Sequence, residues 1–338
     1  MKILRKIAVA FLLLFFLLGI VYALGPEIEY VEEYNSLIVP MDIPLNELDG
    51  MIREKEAEID QLKADNEARI IWADTIKQKT EFSVVYLHGF SASQEEGDPM
   101  HTDFAKKYGC NLYLSRLADH GRSDKNSFKD LTPGQLINSA KEAIAIGQLL
   151  GEKVIVMSCS TGSTLSAYLS SNPDNNIYAQ IMYSPNIDIY DPMSELLLYP
   201  WAEQLMIWVT GGEYRYAQYG PIRKKFWNEV YHIDGAIAVK HLIDQTMKKE
   251  VFDDIKQPLF LGYYYKDEEA QDKVVSIDRM KEFAEYVKTP KELKRVIAFP
   301  NVGEHVMSSY VSSKDLESVA YETYAFAEEV LQLKPVNE

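Results

Sequence analysis

The chain has 338 residues, 47% hydrophobic and 25% charged, a composition typical of globular proteins, and its length fits one large domain or two modest ones. Its formal net charge is −16, from 35 basic and 51 acidic residues, and the basic residues are dispersed. Because nucleic acids bind clustered Lys and Arg, this balance argues against a nucleic-acid partner. It favours a neutral or cationic substrate over a polyanion.

The first 24 residues differ from the rest of the chain. Three basic residues, Lys2, Arg5 and Lys6, precede an uncharged, apolar stretch over 7–24. This pattern predicts either a signal peptide cleaved after Ala23 or an N-terminal membrane anchor. In both cases we expect the remaining chain to be exported from the cytosol, as a periplasmic, secreted or membrane-anchored protein. An anchor would associate the protein with a membrane through its N-terminus.

The sequence contains two cysteines, Cys110 and Cys159, both in apolar, strand-like surroundings. Two cysteines in a chain of this size exclude a disulfide framework, so we expect both to be packed in the core. No metal-ligand spacing is present. We therefore predict neither a metal nor a cofactor.

Residues 25–67 are predicted to form a linker and an amphipathic helix. The linker contains prolines, and the helix is expected over about 45–64. Its apolar residues recur at alternating spacings of three and four, which predicts a narrow stripe packed against the domain surface.

Strands and helices then alternate over 68–188, the first part of the predicted core. Thr132 and Pro133 stand at the preferred N-cap and first position of one of these helices. The alternation predicts an α/β fold, with a mostly parallel sheet covered by helices on both faces. The expected strands are 68–72, 82–87, 111–115, 154–157 and 179–183, and the expected helices are 99–108, 132–150 and 161–170.

The segment 189–250 interrupts this alternation. It has no clear strand and is rich in Leu, Trp and Tyr, and strands resume only at 258–265 and 295–299, in the second part of the core over 251–335. An insertion between two strands of an open sheet lies near the carboxyl ends of the strands, where such sheets bind ligands. We therefore predict a helical cap over a site. Its apolar side chains suggest an acyl or aromatic group in the substrate, or simply hold the cap together.

The segment 154–164 (V-I-V-M-S-C-S-T-G-S-T) passes abruptly from an apolar strand to small residues. A serine nucleophile requires such a sharp strand-to-helix turn, usually with the pattern G-x-S-x-G around it. Here Ser158 replaces the first glycine, so the segment alone favours a structural turn. Its interpretation depends on the segments before and after it.

Leu87-His88-Gly89-Phe90 follows a strand early in the sheet, where a second oxyanion donor is expected. We predict that the oxyanion hole consists of the Phe90 and Thr161 N–H groups, with Thr161 at a helix N-terminus. His88 is expected to shape the loop and not to act as the base.

Asp267 and Asp272 both follow the strand expected at 258–265, and His305 follows the last strand in a loop that contains glycine. Serine, then acid, then histidine, each just after a strand, is the chain order of α/β-hydrolases. His305 is thus the strongest candidate for the base among the six histidines.

The remaining polar residues near these segments are interpreted as structural. We expect His101 and His232 to lie on the surface. Glu95, Glu96 and Asp98, beside the predicted oxyanion loop, either repel anionic substrates or are solvated loop residues, and solvation is the more frequent case.

The sequence resembles α/β-hydrolases over about 68–333, in the branch of monoacylglycerol lipases, lysophospholipases and carboxylesterases. The segment 119–123 (D-H-G-R-S) is similar to the G-H-G-x-S turn of that branch, and 158–163 (S-C-S-T-G-S) to its G-H-S-x-G-G elbow. The segment 272–275 (D-K-V-V) resembles the family's D-x-V-V-P segment, which implies that Asp272 is the triad acid. Asp267, nearer the strand end, is the reserve.

The resemblance implies a serine hydrolase that cleaves small-molecule or lipid-like carboxylic esters, with a catalytic triad of Ser160, His305 and Asp272. An enzyme of this fold that acts on amide, peptide or carbon–carbon bonds stays open, because fold does not determine chemistry. So does a non-catalytic binding protein. The altered elbow supports that alternative, and the retention of all three triad residue types opposes it.

Overall fold

The structure, a computed structural model, describes residues 2–30 and 34–336, so three residues of the predicted linker lie outside the described part. Seven strands form a central sheet in the order β1-β3-β2-β4-β5-β8-β9, and β6 and β7 form a separate pair. The strands are β1 Arg69–Ile71, β2 Thr80–Leu87, β3 Asn111–Leu114, β4 Gly151–Cys159, β5 Ile177–Tyr183, β6 Tyr214–Tyr216, β7 Val230–His232, β8 Leu259–Tyr264 and β9 Lys294–Phe299.

The central sheet is mostly parallel, as predicted. Only β1 pairs antiparallel, with β3, and the other neighbours are parallel. The helices around the sheet and before it are α1 Lys2–Ala23, α2 Leu45–Ala57, α3 Met100–Tyr108, α4 Pro133–Leu150, α5 Thr161–Ser170, α6 Ala202–Thr210, α7 Arg223–Phe226, α8 Asp234–Thr246, α9 Lys249–Asp253, α10 Ile277–Tyr286 and α11 Leu316–Glu329.

Both faces of the sheet are buried. Successive side chains of a strand point to opposite faces, so one strand contributes to the apolar clusters on both sides. Val85 and Leu87 of β2 join the apolar cluster that contains residues of α4, α5, α8 and α10. Val84 and Tyr86 of the same strand join the cluster that contains residues of α3 and α11. Helices therefore cover both faces, as the β/α alternation predicted.

Helix α2 is shorter than predicted. Leu48 and Ile52 of its apolar stripe are buried, as expected, but the helix ends at Ala57. The chain then turns at Gln61, which has a left-handed φ of 54°. Beyond that turn, Lys63 N–H donates to the Gly121 carbonyl oxygen at 2.8 Å. Contacts with the turn at Gly121 thus replace the helical hydrogen bonds that periodicity predicted for residues 58–64.

The region between β5 and β8 contains α6, α7, α8 and α9, and also the antiparallel pair β6–β7. The prediction of a purely helical insertion is wrong at this pair. Each strand has only three residues, which is too short for alternation of polar and apolar side chains to be recognised.

Two histidines that we expected on the surface are buried. His101 is 1% exposed, with Nε2 at 2.8 Å from the Gln94 carbonyl oxygen. His232 is 5% exposed and lies in β7, with Nδ1 at 3.0 Å from an Asp234 carboxylate oxygen. The partner of His101 is a backbone carbonyl group and that of His232 is a carboxylate two residues away, and neither was recognised from the sequence.

The strand order brings several loops to one edge of the sheet. From β2 the chain passes to β3 on one side and later to β4 on the other side. In an open parallel sheet this switch point forms a crevice at the carboxyl ends of the strands. Because Leu87 of β2 pairs with Ser158 of β4, the loops after these two strands begin side by side.

Candidate active site

Ser160 occupies the sharp turn between β4 and α5. Its φ of 52° and ψ of −120° lie in a region that residues with a side chain rarely adopt. Its N–H donates to the Tyr183 carbonyl oxygen at 3.1 Å, and its carbonyl oxygen accepts from Ser163 and Asn186 N–H at 2.9 and 3.1 Å. These bonds hold the residue in the geometry of a nucleophile elbow.

Gly162, two residues after Ser160, is required by a close approach of two backbone segments. A Cβ atom at Gly162 would collide with the carbonyl group of Leu87 and with the carbonyl oxygen of His88. The first turn of α5 therefore touches the end of β2. This contact brings the elbow against the loop that follows β2.

The two serines that replace glycines of the elbow motif contact each other. Ser158 Oγ and Ser163 Oγ are 2.9 Å apart, and both residues are fully buried. Each hydroxyl thus satisfies the other in an interior where an unpaired hydroxyl would be costly. These two of the three departures from the motif are compatible with the elbow because the two serines occur together.

Asp272 and His305 form a hydrogen-bonded pair. Asp272 Oδ2 lies 2.6 Å from His305 Nδ1, while Oδ1 accepts from the N–H groups of Val274 and Val275 at 2.8 and 3.3 Å. Burial by itself would raise the pKa of the Asp272 carboxyl, but the charge and hydrogen bond of His305 and the two N–H groups bring it below its usual value. Asp272 is therefore a carboxylate aimed at the imidazole.

His305 lies in the loop after β9, which turns at Gly303 with a φ of 77°. Its carbonyl oxygen accepts from Ser184 Oγ at 2.7 Å, which ties the loop to the end of β5. Burial would lower the pKa of the imidazole, but the Asp272 carboxylate outweighs this and raises it. Such a pair fixes the tautomer with the proton on Nδ1 and leaves Nε2 free to accept a proton.

Asp267 does not contact His305. It is exposed, and its Oδ1 accepts from the N–H groups of Glu269 and Ala270 at 3.0 and 2.8 Å. These bonds close the turn after β8. The structure thus brings Asp272, and not the reserve acid, to the histidine.

The two expected oxyanion donors lie on the loop after β2 and at the first residue of α5. Among residues 2–30 and 34–336, no hydrogen-bond acceptor pairs with the N–H of Phe90 or of Thr161. The Phe90 ring packs against Phe128 and Tyr231, with centroids 4.7 and 5.4 Å away, which anchors the loop. Both N–H groups are therefore free to bind an oxyanion.

His88 has the structural role that we expected. Its Nε2 accepts from Leu117 N–H at 3.0 Å, and its Nδ1 lies 2.9 Å from the Gly89 carbonyl oxygen. Burial lowers the pKa of this imidazole to about 4, so it is neutral at physiological pH. Both ring nitrogens are engaged in holding the loop.

Ser160 Oγ forms no hydrogen bond with His305 in the part of the chain that the structure describes. Nucleophile and base are often loosely arranged without substrate and come together in the reacting complex. The elbow and the Asp272–His305 pair lie at the same edge of the sheet, after β4, β8 and β9.

Residues from the region between β5 and β8 contact both the loop after β2 and the loop after β9. Asn228 N–H donates to the Ser91 carbonyl oxygen at 2.8 Å. Arg223 Nη1 lies 3.1 Å from a Glu304 carboxylate oxygen, next to His305. The segment 223–231 therefore lies beside the candidate site.

Comparison with solved structures shows which fold this is. The chain is similar to a metagenome-derived lipolytic enzyme, with a TM-score of 0.62 and 15% identity over 79% of this chain and 98% of the other. It is also similar to a soluble variant of monoglyceride lipase from Saccharomyces cerevisiae, with a TM-score of 0.58 and 10% identity over 78% and 92% of the two chains. The protein has the α/β-hydrolase fold.

A third α/β-hydrolase structure, a monoacylglycerol lipase from Paleococcus ferrophilus, has a TM-score of 0.53 and 13% identity over 76% and 95% of the two chains. No protein-family model and no curated protein matches the sequence. At these identities the likeness establishes the fold and leaves the chemistry to the residues of this chain.

The buried residue beside the candidate site that sequence reasoning missed is Glu96. It is only 2% exposed, although we expected a solvated loop residue, and it accepts from Gly89 N–H at 2.6 Å. The run Q-E-E-G has no apolar periodicity that would distinguish a buried glutamate from an exposed one. The position of Glu96 next to the predicted oxyanion loop was the only available signal.

Proposed function

We propose that the protein is a serine hydrolase that cleaves carboxylic esters through an acyl-enzyme on Ser160. The observation that carries this proposal is the hydrogen bond between Asp272 and His305, at the same sheet edge as the Ser160 elbow. A buried carboxylate, an imidazole and a serine on a strained turn are the parts that activate a hydroxyl group.

In the proposed mechanism, Ser160 Oγ attacks the ester carbonyl carbon and transfers its proton to His305 Nε2. Asp272 stabilises the resulting imidazolium, while the Phe90 and Thr161 N–H groups stabilise the oxyanion. His305 then protonates the departing alkoxide, which leaves as an alcohol and completes the acyl-enzyme. Water then attacks the acyl carbonyl carbon while His305 Nε2 accepts its proton, and His305 returns that proton to Ser160 Oγ as the acid is released.

We propose a small-molecule or lipid-like ester as the substrate. The structures described above are named as lipolytic enzymes and monoglyceride or monoacylglycerol lipases.

We also propose that the protein is exported and associates with a membrane when α1 is retained. Helix α1 has 22 residues, and an 18-residue window within it has a mean hydropathy of 2.5, which by length and composition suffices to cross a membrane. None of its residues is buried against the rest of the chain. Its last turn contacts the region between β5 and β8, where Trp201 Nε1 donates to the Val21 carbonyl oxygen at 3.1 Å.

Labelling with a fluorophosphonate tests the proposed nucleophile. We expect covalent labelling of a peptide that contains Ser160, and none in Ser160→Ala. A folded wild-type protein that is never labelled would contradict the proposal and favour a non-catalytic binding protein. Matched ester and amide substrates with the same acyl group then separate an esterase from an amidase.

The acid is tested with Asp272→Asn and Asp267→Asn, assayed with a short-chain p-nitrophenyl ester. Because Asp272 holds the tautomer of His305, Asp272→Asn is expected to lower kcat by about 10³- to 10⁴-fold. Asp267→Asn is the matched control and should keep nearly full activity. The reverse result would make Asp267 the acid.

A further inference from the structure

Glu96 is a buried acid that the mechanism above does not use. It lies in a short 3-10 turn, 94–97, after the predicted oxyanion loop and is 2% exposed. A carboxylate is rarely buried unless specific partners compensate for its lost hydration. Its partners therefore indicate what it does.

The first partner is the oxyanion loop. Gly89 N–H donates to Glu96 Oε2 at 2.6 Å, and Tyr86 Oη donates to the same oxygen at 3.3 Å. Gly89 immediately precedes Phe90, whose N–H is the expected oxyanion donor. The carboxylate thus fixes the peptide next to the one that must point at the substrate.

The second neighbour is the nucleophile. A Cβ atom at Gly89 would lie 2.8 Å from Glu96 Oε1 and 3.0 Å from Ser160 Cβ. The carboxylate and the carbon that bears the nucleophilic oxygen therefore flank the same side of Gly89. A side chain at position 89 would therefore displace the Glu96 carboxylate or the Ser160 side chain.

The third neighbour is the loop that carries His305. Ser309 Oγ donates to the Glu95 carbonyl oxygen at 3.3 Å, and Tyr310 N–H donates to the Asp98 carbonyl oxygen at 3.0 Å. The turn with Glu96 is thereby attached to the chain just after the histidine. The turn with Glu96 therefore contacts the oxyanion loop through the Glu96 carboxylate and the chain just after His305 through its backbone carbonyl groups.

We propose that Glu96 is a positioning residue of the serine reaction: its carboxylate holds the oxyanion loop through Gly89 N–H, and its negative charge stabilises the protonated form of His305. This inference rests on the proposed function. It assigns His305 a second acid besides Asp272, one that acts without a hydrogen bond to the imidazole.

The charges around the two groups determine the sign of the effect. Burial raises the pKa of the Glu96 carboxyl, while Gly89 N–H, the His305 charge and the Tyr86 hydroxyl oppose that rise. The negative charge of Glu96 adds to that of Asp272 in raising the pKa of His305, and the Arg223 cation opposes both. The titratable or charged groups that face Glu96 or His305 are Tyr86, Cys159, Arg223 and Asp272. Behind them, His101 packs against Tyr86 and Glu304 forms an ion pair with Arg223.

Glu96→Gln tests the charge, because glutamine has the same length and keeps an oxygen that can accept from Gly89 N–H. We expect the acid limb of the pH dependence of fluorophosphonate labelling to move to lower pH by about half a unit or more, since His305 loses a stabilising negative charge. The labelling rate on the plateau should fall by less than about 3-fold, because the hydrogen bond is retained. A purely structural glutamate would leave the acid limb in place.

Glu96→Ala tests the hydrogen bond, because it leaves Gly89 N–H without an acceptor. We expect the plateau labelling rate, and kcat with a p-nitrophenyl ester, to fall about 10-fold or more with little change in KM, since a displaced donor weakens binding of the transition state. Glu95→Gln is the control, because the Glu95 carboxylate accepts from Tyr310 Oη at 2.8 Å and has no contact with Gly89. This control should behave as wild type in both measurements.

The proposed charge effect would be overturned if the acid limb of fluorophosphonate labelling lay at the same pH in Glu96→Gln, Glu95→Gln and wild type. A plateau rate of folded Glu96→Ala equal to that of wild type would overturn the positioning role. If Glu96→Ala fails to fold, the positioning role is measured with Glu96→Asp, whose shorter side chain draws back from Gly89 and should lower the plateau rate. Absence of labelling in wild type would instead contradict the proposed function.

Discussion

Ser160 combines a strained backbone with several compensating contacts. A left-handed conformation outside glycine costs about 1–3 kcal/mol and persists only when the surroundings enforce it. Here the enforcement comes from Tyr183 at the end of β5, from Asn186 after it and from the first turn of α5. The strain therefore depends on the packing of neighbouring loops and not on the elbow segment alone.

The Ser158–Ser163 contact predicts strong coupling between two substitutions. Ser158→Ala or Ser163→Ala leaves one buried hydroxyl without its partner, so we expect each to lower the free energy of unfolding by about 1–3 kcal/mol. The double variant removes both hydroxyls and should cost less than the sum of the single changes. Urea unfolding of the four proteins measures the coupling, and strict additivity would contradict the proposed pairing.

The Asp272–His305 pair predicts the pH dependence of the reaction. His305 must be neutral to accept the serine proton, and the Asp272 carboxylate raises its pKa above the ordinary imidazole value of about 6.5. Activity should therefore fall as the pH decreases through a midpoint above about 6.5. The pH profile of kcat/KM measures this midpoint, and an acid limb centred well below pH 6 would disagree with the hydrogen-bonded pair.

At the scale of elements, α2 is attached to the sheet by a buried ion pair. Arg116 Nε and Nη2 donate to the two carboxylate oxygens of Glu56 at 2.7 and 3.0 Å. Ala68 N–H, just before β1, donates to the same carboxylate at 3.0 Å. One glutamate therefore joins a helix, an edge strand and the segment after β3.

Removing that glutamate tests how firmly α2 is attached. In Glu56→Ala, the Arg116 charge, only 6% exposed, would lose its partner, so we expect the free energy of unfolding to fall by about 3–5 kcal/mol. Glu54→Ala, at an exposed position of the same helix, is the matched control and should change it by less than about 0.5 kcal/mol. Equal effects of the two changes would show that the pair does not stabilise α2.

At the scale of the whole molecule, the segment after α1 runs along several parts of the fold. Trp201 N–H donates to the Pro26 carbonyl oxygen at 2.9 Å, and the Tyr30 ring lies 5.1 Å from the His241 ring of α8. Further on, Ile38 N–H donates to Asn175 Oδ1 at 2.7 Å, near the start of β5. The described residues of this segment, 25–30 and 34–44, are therefore attached to the folded domain, whereas no residue of α1 is buried against it.

Deleting residues 1–23 tests this division. Because no side chain of α1 is buried, we expect the free energy of unfolding of the truncated protein to stay within about 1 kcal/mol of that of the full chain. The full chain should sediment with membranes and the truncated protein should stay in the soluble fraction. Intact-mass measurement on both fractions reveals whether cleavage occurs after Ala23, and a full-length chain recovered only in the soluble fraction would contradict the anchor.

Much of this architecture could be predicted because its signals are local. Thr132 and Gln135 form the capping box that begins α4, next to Pro133 at its first turn. Buried strands such as β4 are apolar and rich in β-branched residues because both faces of a parallel sheet are covered. The end of α2 and the β6–β7 pair could not be predicted, because each depends on contacts with residues distant in sequence.

By itself the sequence determined the α/β alternation, the position of Ser160 between a strand and a helix, and the order of serine, acid and histidine along the chain. The family resemblance already favoured Asp272 over Asp267, but only the tertiary structure brought Asp272 to His305, paired Ser158 with Ser163 and buried Glu96 against Gly89. The physical reason is that propensity and periodicity act over a few neighbouring residues, whereas hydrogen-bond partners and burial arise where loops from different strands meet.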